Sequence, residues 1–184
     1  CYPPFSCWNK EQLDRVPAVF DKPVARATEV PLGLYLHVPF CAERCHYCYY
    51  RSYAQPTHDQ TDHYIDVLLN ELATYAKTPA VAGRDLDFAY FGGGTPSLLS
   101  VRQIQRLFDG IRKLFPFDSA REVTFECAPQ SATEDRLRVL RDVGVTRISM
   151  GVQQLDDEVL RKSGRIHRVE NVERAWERIE PLGF

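Results

Sequence analysis

No apolar run in these 184 residues is long enough to span a bilayer, so a membrane-crossing helix is not expected. The first residues, Cys1 to Asn9, lack the basic start and long apolar middle of a secretory signal. Charge of one sign is not in excess either: 23 Lys and Arg stand against 25 Asp and Glu, for a net charge of -2. That balance gives no general drive toward nucleic acid or anionic membrane. No G-x-G-x-x-G follows the first apolar segment, which argues against a dinucleotide site. Together these absences point to a cytoplasmic protein, off the membrane and off nucleic acid.

What is present suits a globular chain with a sizeable core, at 44% hydrophobic and 26% charged. Of six cysteines, Cys41, Cys45 and Cys48 fall within eight residues, spaced C-x3-C-x2-C. Without a secretion signal, such clustering favours a metal site over cystines. Cys1 and Cys7 are expected to be ordinary thiols, Cys127 and Met150 core packing, and His37 a satisfied core residue.

Residues 1–32 hold prolines at 3, 4, 17, 23 and 31 and little periodicity, and are expected to form an extended arm with at most one short helix around Lys10 to Phe20. The apolar run Gly33 to Phe40 predicts a strand buried on both faces. The cysteine loop and a polar stretch follow, then a helix over about Thr61 to Lys77, striped by Ile65, Leu68, Leu69, Leu72 and Ala76. The strand-to-helix connection is about 20 residues, against the usual two to six, and long ordered loops are mostly functional. A second strand, Asp87 to Phe91, runs into Gly92-Gly93-Gly94-Thr95-Pro96. Ser100 and Gln103 predict a capping box for a helix carrying Ile104, Leu107, Phe108, Ile111 and Phe115. A third strand, Glu122 to Glu126, precedes a helix with a capping box from Ser131 and Glu134, stopped at Gly144. A fourth strand, Arg147 to Gln153, leads to short helices near Asp157 to Lys162 and Val169 to Ile179.

Four β-α units predict an α/β fold with a parallel sheet and right-handed crossovers, either doubly wound or part of a (β/α) barrel. Four units do not close a barrel, so a fragment, or further strands beyond Phe184, is expected. Cys41, Gly92 to Thr95, Glu126 and Gln153 all fall at C-terminal strand ends, the face where parallel β/α sheets gather their sites. Three thiolates suit a soft or borderline metal. Zinc would need a fourth donor, such as His46 or a distant Cys. A 4Fe–4S cluster on three thiolates leaves one iron open to a small molecule.

These residues carry a resemblance. C-x3-C-x2-C after a first strand, with an aromatic before the last Cys, resembles the radical SAM superfamily. Tyr35 to Cys41 (YLHVPFC), Gly92 to Pro96 (GGGTP), Glu126 with Pro129, Ser149 to Gln153 (SMGVQ) and Leu160 to His167 (LRKSGRIH) resemble its oxygen-independent coproporphyrinogen III oxidase-like group. The likeness covers about residues 33–184, and it implies a partial (β/α) barrel as the core. It implies a 4Fe–4S cluster on Cys41, Cys45 and Cys48, with S-adenosylmethionine on the open iron. Tyr47 would lie by the adenine, Gly92, Gly93, Gly94 and Thr95 would hold the methionine amino group, and Tyr35 would sit near the cluster. Glu126, Gln153 and Arg165 match positions that contact S-adenosylmethionine. Reductive cleavage would give a 5′-deoxyadenosyl radical that takes hydrogen from a porphyrinogen-like or other organic substrate, with flavodoxin or ferredoxin as a suitable reductant. One departure is informative: the oxidases proper commonly carry a further Cys two residues after the third, where this chain has Tyr50. The Tyr49 to Tyr53 run is similar to relatives that methylate or cyclopropanate with two S-adenosylmethionines, and to haem-trafficking proteins.

Overall fold

The computed structural model describes residues 9–25 and 29–184, and of Gln12 the backbone alone. Cys1 and Cys7 lie outside the described residues. In the arm, two short helices, α1 (Lys10–Leu13) and α2 (Val16–Phe20), stand where one was expected. Pro17 falls in the first turn of α2, where its missing N–H costs nothing.

The centre is a four-stranded parallel sheet of β1 (Gly33–Val38), β4 (Phe88–Gly93), β5 (Glu122–Cys127) and β6 (Arg147–Met150). Its spatial order β1-β4-β5-β6 is the order of the chain. A doubly wound sheet reverses order at a switch point; here each unit adds to the same side of the last, which is how a β/α barrel grows. The register aligns Val38 with Gly93 and Cys127 with Met150, so the C-terminal strand tips share one rim.

One face of the sheet is covered by α3 (His58–Tyr75), α4 (Val101–Arg112) and α5 (Glu134–Asp142). Leu36, Phe91 and Phe125 meet Ile65, Ile104, Leu107, Phe108 and Leu140 there in the main core. Phe91 and Phe108 stack with ring centroids 4.6 Å apart. A smaller cluster of Ala132, Leu137, Ala175 and Ile179 joins α5 to α7 (Val169–Ile179). The other face carries the alternate residues Tyr35, His37, Tyr90 and Glu126. β1 is therefore not buried on both faces: Tyr35 is 56% exposed while Leu36 is 1% exposed. His37 is correspondingly only half-buried, and satisfied by polar partners rather than by core packing.

Local signals explain the element ends. Thr57 and Gln60 form a capping box for α3, which starts three residues before the predicted Thr61. Ser100 and Gln103 form the predicted box for α4. α5 departs from expectation: Thr133 occupies its N-cap without a side-chain cap bond, and the Ser131 hydroxyl instead meets Ser97 and the Ala128 carbonyl. β6 stops at Met150, three residues before the predicted end. Gln153 has φ +66°, outside any strand.

Phe108 is 0% exposed, and Phe108→Ala removes a ring from the centre of the aromatic stack. We expect a loss of about 3–5 kcal/mol of stability in urea unfolding, against no more than about 0.5 kcal/mol for Tyr49→Ala on the surface.

Candidate cofactor site

The cysteine loop is held at both ends by backbone. Phe40 and Cys41 form the short strand β2, paired in parallel with β3 (Tyr53–Ala54). Tyr53 N–H donates to Pro39 O at 2.7 Å, and Gln55 N–H to Cys41 O at 2.9 Å. From the other side, Gly94 N–H donates to Val38 O at 2.8 Å and Thr95 N–H to Phe40 O at 2.7 Å. The glycines allow this approach. A Cβ on Gly94 would sit 2.7 Å from Phe40 O and 2.9 Å from Val38 O. Gly93 has φ +114°, and a Cβ there would strike the His37 ring at 2.6 Å.

A cavity of about 360 Å³ opens at this rim. Cys41, Cys45, Cys48 and Tyr47 line one side, with Gly93, Gly94 and Thr95 beside them. Glu126, Gln153 and Arg165 line it as well. Two predicted positions stand back from it. Gly92 lies behind the Glu126 carboxylate, which its Cβ would approach to 3.1 Å. Tyr35 stacks on Tyr90 at 6.0 Å and hydrogen-bonds His37 Nδ1 at 3.0 Å.

The polar groups are oriented by neighbours. Glu126 accepts from Tyr90 Oη at 2.7 Å and from Gly93 N–H at 3.1 Å. Burial, and then the Glu126 carboxylate, push the Tyr90 phenol above its ordinary pKa, so it stays a donor. Arg165 Nη1 donates to Cys45 Sγ at 3.2 Å and Nη2 to Gly151 O at 2.7 Å. Thr95 Oγ1 lies 3.6 Å from Cys41 Sγ. Burial raises the Cys41 thiol, against this hydrogen bond. Gln154 N–H donates to Val152 O at 2.8 Å, closing a tight turn around Gln153 with its positive φ. Such backbone costs about 1–3 kcal/mol and gathers at ligand sites.

Sequence reasoning missed several of these groups. Met150 packs at the edge of the smaller core cluster, as expected, and also lines the cavity, as do Ser149, Gly151 and Gln130. The buried Oε1 of Gln130 has no hydrogen-bond partner among the described residues, as suits a wall that meets a polar ligand. His46 is not turned to a metal position: its Nδ1 bonds Lys162 O at 3.1 Å and its N–H donates to Ser163 O at 3.1 Å. A sequence signal existed for this dock in the SGRIH segment, but its partner is over a hundred residues away. Cys127 is core packing that also reaches the cavity wall, and burial pushes its thiol up to about 12.

Donors for one ion must converge on a point, and among the described residues no three His, Cys, Asp or Glu do so. A four-iron cluster gives each thiolate its own iron, which fits three cysteines spread along one wall.

The family described as the Radical SAM superfamily matches residues 35–184. The heme chaperone HemW of Escherichia coli K12 is 39% identical over 157 residues, covering 84% of this chain and 40% of that protein. The oxygen-independent coproporphyrinogen III oxidase of the same organism is 36% identical over 165 residues, covering 90% of this chain and 36% of that one. The solved coproporphyrinogen III oxidase (HemN) of Escherichia coli, titled a radical SAM enzyme, superposes with a TM-score of 0.79 at 31% identity, over 96% of this chain and 39% of that chain. The chain thus spans about two fifths of the length of these relatives.

Gly94→Ala forces β2 away from the glycine turn. The expected cost is about 1–3 kcal/mol, and Cys41, 8% exposed in the folded protein, should become open to iodoacetamide. Cys127 should resist the same reagent at pH 8 in both proteins until unfolding, because its thiol ionises only near 12. Peptide mass spectrometry after alkylation checks both.

Proposed function

We propose, on the premise that this chain belongs to the radical SAM superfamily, that Cys41, Cys45 and Cys48 hold a 4Fe–4S cluster and that S-adenosylmethionine binds in the adjoining cavity. The observation that carries this is convergence: three thiols, the glycine turn, Glu126 and Gln153 at separate strand ends, and Arg165 from the turn after the helix Asp157–Lys162 line one space of about 360 Å³. When bound, the cluster and S-adenosylmethionine supply reductive cleavage of the sulfonium and abstraction of hydrogen from a substrate.

The chain's own residues bind and orient. Thr95 and Arg165 donate toward sulfurs, which stabilises thiolate ligands. Glu126, fixed by Tyr90 and Gly93, is an acceptor for the ligand's ammonium group, beside the backbone of Gly93 to Thr95. Arg165 suits the carboxylate. Tyr47 offers a ring for the adenine, and Gln153 a further polar contact. Met150, Cys127 and Ala128 give the wall an apolar part that limits water.

We assign the whole protein to hydrogen abstraction from a porphyrinogen-like substrate with flavodoxin or ferredoxin as reductant, by similarity to the coproporphyrinogen III oxidase. A second assignment, haem handling on the same scaffold, is favoured by Tyr50 standing in place of the oxidases' further Cys and by the 39% identity to the heme chaperone. Use of a second S-adenosylmethionine, for methyl transfer, belongs to the same group of outcomes.

The full-length protein, reconstituted with iron and sulfide under anoxia, is expected to turn brown and, once reduced, to release 5′-deoxyadenosine. Cys41→Ser, Cys45→Ser and Cys48→Ser should each abolish the cluster absorbance. Conversion of a porphyrinogen, followed by mass spectrometry, selects the oxidase assignment. Stoichiometric haem binding without conversion selects the second, and a colourless protein that cleaves nothing removes the first.

A further inference from the structure

His167 is 0% exposed and does not line the cavity, yet it touches Arg165, which does, and Val152, the neighbour of the cavity residue Gln153. Its Nδ1 lies 3.3 Å from Arg165 Nε, and its Nε2 lies 3.1 Å from Val152 O. A guanidinium only donates, so Nδ1 must be the acceptor. Nε2 then carries the proton and donates to the Val152 carbonyl. The ring is neutral in this arrangement, because a second proton would point at the guanidinium. Burial first, and the Arg165 charge second, lower its pKa in the same sense.

Both contacts lead to the cavity. Arg165 spends its remaining nitrogens on Cys45 Sγ and Gly151 O. The Val152 carbonyl also accepts from Gln154 N–H, the bond that closes the turn carrying Gln153 at φ +66°. One imidazole therefore braces a long cationic side chain and a strained turn at once.

We propose that His167 is a positioning residue of the S-adenosylmethionine site: its neutral ring accepts from Arg165 and donates to Val152, holding Arg165 and Gln153 ready to receive the ligand. This rests on the cofactor assignment above. A buried histidine that only fills space would contribute stability and leave ligand affinity untouched. A brace contributes to affinity, because an unbraced guanidinium must be ordered at the moment of binding.

The test uses the full-length protein with its cluster reconstituted under anoxia, and measures S-adenosylmethionine affinity by equilibrium dialysis. His167→Phe keeps the ring volume and removes both nitrogens. It should weaken binding on the order of tenfold, with iron content and cluster absorbance unchanged. His167→Gln should recover most of the affinity, since its amide donates to Val152 and its carbonyl accepts from Arg165. In an Arg165→Ala background the His167→Phe step should shrink, as contacting residues couple. If His167→Phe does not accumulate folded, His167→Asn, too short to reach both partners, carries the same expectation of about a tenfold loss. Wild-type affinity in a folded His167→Phe or His167→Asn protein overturns the inference alone. So does a loss of equal size in both Arg165 backgrounds that Gln does not restore. A wild-type protein that binds no S-adenosylmethionine overturns the cofactor assignment and this inference with it.

Discussion

The site depends on a two-residue strand. Phe40 and Cys41 are bound through backbone on one side by Tyr53 to Gln55 and on the other by Gly94 and Thr95. Backbone hydrogen bonds leave side chains free, so the loop is anchored without spending a cysteine. This also ties the loop to the sheet: β4 pairs with β1 up to Val38 and Gly93, and the residues after both strands continue to bond. Any side chain at position 94 would push the two backbones apart. The glycine turn is thus first a spacer that lets the cysteine loop dock, and only then a surface that a ligand can approach.

The loop has a second attachment that is weaker in backbone and stronger in side chains. His46 and Cys45 reach the turn after α6 (Asp157–Lys162), through Lys162 O, Ser163 O and Arg165. Gly164 lies under the His46 ring, where a Cβ would come within 2.7 Å. The two attachments hold different cysteines. Cys41 is fixed by the sheet and buried; Cys45 is fixed by a segment far along the chain and remains partly open. Loss of either dock would scatter the three sulfurs, even with every cysteine intact.

Much of this was legible in the sequence, and the failures have physical causes. Helical stripes placed α3 and α4 because core burial imposes the period directly. The C-terminal rim could be foreseen because β-α alternation forces parallel strands, which puts Cys41, Gly93, Glu126 and the residues after Met150 on one edge. Gly151 to Gln153 reads as extended in sequence, but β6 ends at Met150 and the chain turns at Gln153, whose φ is +66°. β1 reads as buried on both faces because Leu, Val and Phe obscure the alternation that Tyr35 and His37 supply. The Ser131 cap failed because that hydroxyl has a buried partner in Ser97, and a satisfied side chain does not compete for a helix end. Tyr90 and His167 were passed over because an orienting residue has no motif of its own. Its partners, Glu126 and Arg165, are the ones that the family resemblance marks.

That asymmetry follows from how the cavity is built. Residues that meet a ligand are set by its chemistry, so their types recur in readable patterns. Residues that orient them need only the right atom at the right distance, and many side chains can provide it. In this chain the orienting set is a phenol on β4, a backbone N–H at Gly93 and a neutral imidazole beyond α6, three unrelated donors or acceptors. Each is buried or half-buried, where an unmet polar group would be costly. The polar arrangement of the cavity is therefore maintained by the same burial that stabilises the fold. Packing and the polar geometry of the cavity are one constraint here, which is why a fully buried residue such as His167 bears on a group that lines the cavity.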